Sequence, residues 1–129
     1  ISRDVFQEKF AQTFRNARNL VSGIVNSKRV NVKKASAMDF VCYDVIDSNM
    51  TPSQQIDFLT KHSFHTVKYS IIHNLSPDIL NKYLEKMKGN SKYEIDGIII
   101  ISDGIYPRET YGNPKHAFAF KNNIIGIPL

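Results

Sequence analysis

The sequence predicts an α+β domain. Two segments, Thr51-Pro52 and Ser76-Pro77, place proline directly after a hydroxyl residue, which is typical of a helix start. Residues 98–101, by contrast, are four consecutive isoleucines, a composition typical of a buried strand. Helical and extended signals follow one another without internal repeats, so we expect largely antiparallel sheets with flanking helices.

Composition bounds the size and setting of the domain. The chain has 129 residues, 42% of them hydrophobic, which suffices for one core but not for two domains of ordinary size. Seventeen Lys and Arg against twelve Asp and Glu give a net charge of +5, which suits a polyanionic partner such as nucleic acid. The single cysteine, Cys42, excludes an internal disulfide and favours an intracellular, cytoplasmic setting. No apolar run reaches the roughly 18 residues of a membrane span, so no membrane partner is expected.

Two helices are expected near the N-terminus. Ser2 is suited to cap the first helix, and phenylalanine recurs every fourth residue after it, at Phe6, Phe10 and Phe14. This spacing places the three rings on one apolar stripe that we expect to be buried. A second, shorter helix is expected over residues 18–25.

The middle of the chain contains two further helices. Between the helix over 18–25 and the next one, the basic segment 27–34 is expected to be an exposed connection with charge suited to phosphate. The helix that begins at Thr51-Pro52 is expected to bury Ile56 and Leu59. The helix that begins at Ser76-Pro77 is expected to end at Gly89. Its inward residues are expected to be Ile79, Leu80, Tyr83, Leu84 and Met87.

Five segments have strand composition: 38–46, 66–72, 95–101, 117–121 and 124–127. The isoleucine segment is expected to be buried on both faces. The last two segments are separated by Asn122-Asn123, and because asparagine tolerates positive φ, they are expected to form a tight hairpin.

Charged residues lie at the ends of two of these strands. Asp96 and Gly97 open one apolar strand, and Lys121 ends another. A sheet with this pattern presents a charged pair at its rim to a phosphate-bearing ligand. The six glycines do not form a phosphate-binding loop. His62 and His65 lack a third ligand and are expected to be solvated, so no metal site is predicted from the side chains.

Four segments together resemble the adenylation domain of NAD-dependent DNA ligases. The segments that carry the resemblance are 14–19 with Gly23, 40–43, 93–101 and 114–121. The resemblance implies an ATP-grasp-like nucleotidyltransferase fold, the use of NAD and Mg²⁺, and a role in DNA repair and replication.

The resemblance also implies a role for each of five residues. Arg18 would contact the phosphates or ribose of the adenylate, and Tyr43 would stack on the adenine ring. Asp96 would support phosphoryl transfer by organising metal-bound water or a neighbouring lysine. Gly97 would let the backbone come close to the ligand. Lys121 would approach the adenylate phosphate and neutralise charge in the transition state. These residues are expected to converge on one concave site.

The chain departs from the family pattern at several positions. Ile101 stands where the family usually has a catalytic lysine, and it is expected to lie beside the site. Asn26 replaces a usual arginine, and Lys115 and His116 stand where Arg and Trp are preferred. The Lys-x-Asp-Gly motif, whose lysine becomes adenylated, is absent. The chain is therefore expected to be a partial adenylation domain, the C-terminal half, over residues 1–129.

The resulting hypothesis is a fragment of an NAD-dependent DNA ligase, possibly viral, that seals nicks through enzyme-adenylate and DNA-adenylate intermediates. Its expected partners are nicked duplex DNA, NAD and the remaining ligase domains, and the fragment alone is expected to be inactive. Two alternatives stay open. One is an ATP-using DNA or RNA ligase, and the other is a degenerate module that binds nucleic acid without catalysis.

Overall fold

The computed structural model describes residues 1–107, 112 and 114–121. Five helices and two strands are formed in this part of the chain. They are α1 (Arg3–Lys9), α2 (Ala17–Val25), α3 (Val32–Ala35), α4 (Pro52–Lys61), α5 (Pro77–Asn90), β1 (Ile98–Ile101) and β2 (Ala117–Phe120). The contacts divide the chain into two compact units. The first unit holds residues 1–40 and 88–95, and the second holds 41–87 and the described residues from 96 onward.

Helix α1 begins as the sequence predicts but ends early. The Ser2 hydroxyl accepts a hydrogen bond from the Val5 N–H (3.3 Å), and Phe6 is buried. The helix closes at Phe10. Phe14 follows after a turn, and the Phe14 N–H donates to the Phe10 carbonyl (2.9 Å). The Phe10 and Phe14 rings still meet edge to face, with centroids 6.3 Å apart. Phe10 and Phe14 are only half-buried, so the expectation of a fully buried stripe is wrong, and the helix carries only the first part of the stripe.

Helix α2 matches the predicted helix. Its start is fixed by Asn16, whose side-chain oxygen accepts from the Asn19 N–H (2.8 Å). Leu20 is the buried residue of this helix, and only 1% of the surface of Leu20 is exposed. The segment 27–34 is exposed as predicted, but it ends in the short helix α3 because Asn31 accepts from the Lys34 N–H (3.0 Å).

Residues 88–95 complete the first unit. The Arg3 N–H donates to the Lys92 carbonyl (2.9 Å), which joins the start of α1 to this segment. The Tyr93 hydroxyl donates to Asp39 (2.6 Å), and the Lys92 ammonium lies 3.7 Å from the same carboxylate. Partial burial and the hydrogen bond to Asp39 raise the pKa of Tyr93 to about 12.

Helix α4 has the predicted start and the predicted core residues. The Thr51 hydroxyl accepts from the Gln54 N–H (3.3 Å), and the Gln54 side chain accepts from the Thr51 N–H (3.0 Å), which is a capping box. Pro52 occupies the first turn, where its missing N–H costs nothing. Ile56 and Leu59 are both buried.

Helix α5 also begins at its predicted hydroxyl-proline signal. Ser76 accepts from the Ile79 N–H (3.2 Å), and Leu80 and Leu84 are buried. Ile79 is 39% exposed, so its predicted inward position is wrong. The helix continues to Asn90, one residue past the predicted end at Gly89.

The predicted strands over 38–46 and 66–72 are wrong as regular strands. They share one parallel bridge, between Cys42 and Thr66. Beyond it, the Val45 N–H donates to the Gln55 side chain (2.8 Å) instead of a neighbouring strand. Asp47 then adopts a φ of 57°, which is incompatible with an extended chain. The hydrogen bond to the Gln55 side chain and the turn at Asp47 therefore stop the ladder after one bridge.

Strands β1 and β2 form an antiparallel pair with a defined register. Ile98 pairs with Phe120, and Ile101 pairs with Ala117 at the other end. Burial alternates along β1, and Ile99 is 70% exposed, so the expectation of a strand buried on both faces is wrong. Among the described residues this sheet has two strands, so one edge of β1 has no strand beside it, and the exposed Ile99 and Ile101 lie on one face of β1. The predicted hairpin to 124–127 lies outside the described residues.

In the described part of the chain, no helix combines the length and the apolar character that crossing a bilayer requires.

Candidate functional site

Asp96 and Lys121 meet at one end of the strand pair. Asp96 lies two residues before β1 and Lys121 directly after β2, beside the Ile98–Phe120 pair of the register. The Lys121 Nζ lies 3.4 Å from an Asp96 carboxylate oxygen. The side chains are 60% and 88% exposed, respectively, so both remain accessible to a ligand. The structure thus brings together the two charged residues that the sequence placed at strand ends.

Gly97 permits this approach. A Cβ at position 97 would lie 2.8 Å from the Phe120 carbonyl oxygen and 2.9 Å from the Lys121 Cγ. The first of these atoms belongs to the backbone and cannot move aside without shifting β2. Glycine is therefore needed where the two strand ends come together. The close approach seen here is between the strands, and the predicted approach to a ligand stays a prediction.

The chemistry of the charged pair follows from its exposure. An exposed ion pair contributes little to stability, since water screens it and both side chains lose freedom. The Lys121 ammonium can therefore exchange the Asp96 carboxylate for an incoming phosphate oxygen at low cost. Asp96 would then be released to accept a hydrogen bond from another donor. The pair is suited to a phosphate-bearing ligand at the rim of the sheet.

Tyr43 lies in the same unit as the charged pair. It follows Cys42, the residue of the parallel bridge, and its side chain is 70% exposed. An exposed phenol ring on an extended segment can stack on a planar base. Its convergence with Asp96 and Lys121 stays a prediction.

Arg18 occupies the second position of helix α2 and is exposed. Its predicted arrival from a helix start is confirmed. Because Arg18 belongs to the first unit, its convergence with Tyr43, Asp96 and Lys121 stays a prediction.

Ile101 lies at the other end of the strand pair from the charged residues. It pairs with Ala117, about 10 Å along the ladder from Ile98 at the usual rise of a strand. This position differs from the expectation that Ile101 lies beside Asp96 and Lys121.

The sequence did not reveal an aromatic cluster at that other end. The rings of Tyr106 and His116 stack with centroids 4.1 Å apart and an interplanar angle of 8°. Ser102 joins both residues: its hydroxyl lies 2.7 Å from the Tyr106 hydroxyl, and its N–H donates to the His116 carbonyl (2.9 Å). No sequence spacing indicated the partner of His116.

A second missed contact anchors the turn after β1. Asp103 accepts hydrogen bonds from the Ser53 N–H (2.9 Å) and the Ser53 hydroxyl (2.6 Å) at the start of α4. These bonds lower the pKa of Asp103 below its usual range. A local sequence signal is lacking because the partners are fifty residues apart.

Within residues 1–107, 112 and 114–121, no three His, Cys, Asp or Glu side chains are grouped to hold a metal ion. The His62 Nδ1 lies 2.9 Å from the Phe58 carbonyl oxygen of its own helix, and the two rings pack against each other.

Comparison with known proteins identifies the family. Residues 3–124 match the model of the NAD-dependent DNA ligase adenylation domain. The chain is 40% identical over 118 residues to a DNA ligase of Acanthamoeba polyphaga mimivirus, covering 90% of this chain and 19% of that protein. It is 34% identical to the putative DNA ligase 205R of Invertebrate iridescent virus 6, covering 94% of this chain and 21% of that protein. A DNA ligase of Borrelia duttonii (strain Ly) is 31% identical, with 82% of this chain and 18% of that protein covered. No solved structure matches significantly.

The chain thus spans about a fifth of the length of these relatives. The family match covers nearly the whole chain, including Arg18, Tyr43, Asp96 and Lys121. This protein belongs to the NAD-dependent DNA ligase adenylation domain family.

Proposed function

We propose that this chain is the C-terminal half of the adenylation domain of a ligase that uses NAD to seal nicks in duplex DNA. The observation that carries the proposal is the exposed Asp96–Lys121 pair, with its 3.4 Å contact at the rim of the β1–β2 sheet. The family match over residues 3–124 supports it. The Lys-x-Asp-Gly motif does not occur in these 129 residues, which supports the assignment to a part of the domain that lacks the nucleophile.

The proposed reaction begins when a lysine outside this chain attacks the adenylyl phosphorus of NAD and displaces nicotinamide mononucleotide. The adenylate is then passed to the 5′-phosphate at a nick, and the neighbouring 3′-hydroxyl displaces AMP to seal the strand. In each step negative charge accumulates on phosphate oxygens. A positioned ammonium or guanidinium stabilises such charge more in the transition state than in the ground state.

Each candidate residue has a role in this reaction. Lys121 neutralises charge on the adenylate phosphate, and Arg18 holds the phosphates or ribose through its planar donor fork. Tyr43 stacks on the adenine, for which its exposed ring is suited. Asp96 positions Lys121 or a metal-bound water. Gly97 lets the strand ends approach closely enough to form the site.

Mg²⁺ is part of the proposal as a cofactor. Asp96 is a single carboxylate and is already paired with Lys121, so it does not form a metal site by itself. Mg²⁺ commonly binds through one or two carboxylates together with substrate phosphates. Asp96 would hold the ion only together with the phosphates of NAD, and the ion would supply charge neutralisation there.

The remaining proposals concern the setting of the intact protein. Nicked duplex DNA, NAD and the other ligase domains are its partners, and it acts in DNA repair and replication. An intracellular, cytoplasmic location fits these substrates, and two of the relatives are a DNA ligase and a putative DNA ligase of viruses. The proposed fold is the ATP-grasp-like nucleotidyltransferase fold, of which the β1–β2 pair would form part.

A second candidate is a degenerate module that binds nucleic acid without catalysis. It is favoured by Ile101 and Asn26, which replace two cations usual in the family, and by the net charge of +5. An ATP-using ligase is less favoured because the family model that matches is that of the NAD-dependent enzymes.

Adenylation of the intact protein with labelled cofactor separates these candidates. The protein encoded by the whole open reading frame should become covalently labelled by NAD that carries the label in its adenylate part. Labelled ATP should not label it. Both reactions are run in the presence of Mg²⁺. The isolated 129-residue chain should stay unlabelled because it lacks the nucleophile. Labelling from ATP alone would favour the ATP-using ligase. Absence of labelling from either cofactor would favour the binding module, and a stable phosphoramidate on the isolated chain would contradict the assignment as a fragment.

A further inference from the structure

The first unit contains a cavity of ≈ 400 Å³ between α2 and α3 that is open to solvent, since most of its lining residues are exposed. Its lining residues are Phe14, Leu20, Gly23, Ile24, Ser27, Arg29, Val30, Asn31 and Lys34. The volume lies within the roughly 300–1,000 Å³ typical of small-molecule sites. We propose that this cavity is a binding site for an anion with a flat apolar body, of the mononucleotide class, separate from the site of Arg18.

The positive charge at the cavity favours an anionic ligand. Arg29 and Lys34 are both at its lining, and none of the lining residues is acidic. The surrounding sequence is equally one-sided, since residues 9–38 contain seven Lys or Arg and no Asp or Glu. The two cations are therefore not neutralised by a neighbouring carboxylate of their own segment. A phosphate could accept hydrogen bonds from both.

The apolar wall of the cavity favours a ligand in which a flat apolar ring is attached to the anionic group. Phe14, Leu20, Ile24 and Val30 provide apolar surface. The Lys34 ammonium lies 5.0 Å from the centroid of the Phe14 ring, so the cation stands beside an aromatic surface. A ligand with a planar ring and a phosphate would use both features, whereas phosphate or the ring alone would use one of them.

Local hydrogen bonds hold the wall of the cavity in place. The Ser27 hydroxyl donates to the Arg29 carbonyl (2.6 Å), and Asn31 accepts from the Lys34 N–H (3.0 Å). The backbone that carries both cations is thus fixed by its own side chains. Such ordering before binding reduces the entropy that a ligand must overcome.

Gly23 contributes no side chain to the cavity. A glycine inside a helix lowers the stability of that helix relative to most other residues. A Cβ at Gly23 would meet no atom within 4 Å, so the packing of the described chain does not require glycine. Because Gly23 lines the cavity, its missing side chain keeps the space open.

The cavity is distinct from the proposed adenylate site. With about 100° of rotation per residue, Leu20, Gly23 and Ile24 lie about 120–160° around the helix axis from Arg18. Arg18 therefore projects from the other side of α2. Binding in the cavity would not use Arg18, and the proposal stands whether or not Arg18 contacts an adenylate.

The test is an NMR titration of the ¹⁵N-labelled 129-residue chain with AMP as the probe, and with adenosine and inorganic phosphate as partial ligands. AMP should shift the amide signals of Gly23, Ile24 and Val30. Its dissociation constant should be at least about tenfold lower than that of either partial ligand, since it uses both the cations and the apolar wall.

Variants identify the site. Gly23→Leu should fill the cavity and weaken AMP binding by about tenfold or more, while the melting temperature stays equal or rises because a helix glycine has been removed. Arg29→Ala should weaken binding by about three- to tenfold. Lys28→Ala, in the same exposed segment but outside the lining, is the matched control and should have no effect. Tyr43→Ala, which alters the proposed adenylate site, should leave the shifts at Gly23 and Val30 unchanged.

Two results would overturn the proposal. One is the absence of shifts at Gly23, Ile24 and Val30 with AMP, which would show that the cavity does not bind a mononucleotide. The other is AMP binding that Gly23→Leu leaves intact. If AMP shifts the signals of Gly23, Ile24 and Val30 but none near Tyr43, the result counts against the proposed function and not against this cavity.

Discussion

Gly97 and Phe120 approach so closely that a side chain does not fit between them. A Cβ at Gly97 would lie 2.8 Å from the Phe120 carbonyl oxygen. This contact sets the separation of the two strand ends, and with it the 3.4 Å distance between Asp96 and Lys121. The glycine thus determines the geometry of the charged pair.

Gly97→Ala is therefore expected to lower the free energy of unfolding by about 1–3 kcal/mol, the usual cost of an added methyl group in a tightly packed position. Urea denaturation followed by circular dichroism measures the change. Gly89→Ala is the matched control, because a Cβ there meets nothing within 4 Å and alanine favours a helix. Equal stability of Gly97→Ala and the parent chain would contradict the close packing of the strand ends.

Lys121→Ala in the intact ligase is expected to reduce nick sealing at least about a hundredfold, the scale for losing a preorganised charge at a transition state. The variant should still fold, since Lys121 is 60% exposed and its ion pair with Asp96 contributes little to stability. Sealing of a labelled nicked duplex measures the effect. Lys86→Ala, a change of an exposed lysine on α5 outside the family segments, is the control and should retain activity. If both variants seal equally well, Lys121 has no role in the reaction.

The helix starts could be predicted from sequence because their causes are local. Ser2, Thr51 and Ser76 each accept a hydrogen bond from an N–H three residues later, a contact that a reader of the sequence can infer. The strand over 38–46 could not be corrected from sequence. Its failure depends on the Gln55 side chain, ten residues away, which takes the Val45 N–H from any ladder.

In the candidate site, too, some contacts could be predicted from the sequence and others could not. Asp96 and Lys121 could be brought together because both stand at the ends of apolar segments that pair. The stack of Tyr106 on His116 depends on the exact register of β1 and β2, which the composition of the two strands does not specify. The roles of Arg18 and Tyr43 rest on the resemblance alone.

The isolated chain is expected to bind nicked duplex DNA weakly and in a strongly salt-dependent manner. Positive charge dominates, and each phosphate that the chain neutralises contributes about −0.9 to the slope of log K against log salt concentration. Fluorescence anisotropy of a labelled nicked duplex between low and moderate salt measures this slope. Tight binding that does not change with salt would show that the interaction depends on something other than charge.

The contact between Asp103 and Ser53 predicts a pH-dependent contribution to stability. Both hydrogen bonds favour the ionised carboxylate, so the pKa of Asp103 is lower in the folded chain than its ordinary value. Stabilisation from a lowered pKa is present above the ordinary value of the unfolded chain, about 3.9, and is lost as pH falls through the folded pKa. Asp103→Asn keeps an acceptor oxygen but removes the charge at the N-terminus of α4.

Asp103→Asn should therefore lower stability at pH 7 by about 0.5–1 kcal/mol, the scale of a charge near a helix N-terminus, discounted for its exposure. The difference from the parent chain should shrink as pH falls below about 4, because the parent carboxyl group then becomes protonated. Urea denaturation at several pH values measures it. Ser53→Ala removes one partner of the same interaction, so the effects of the two single changes should add to more than that of the double variant. Simple additivity, or a difference that persists unchanged at low pH, would show that the contact does not stabilise the start of α4.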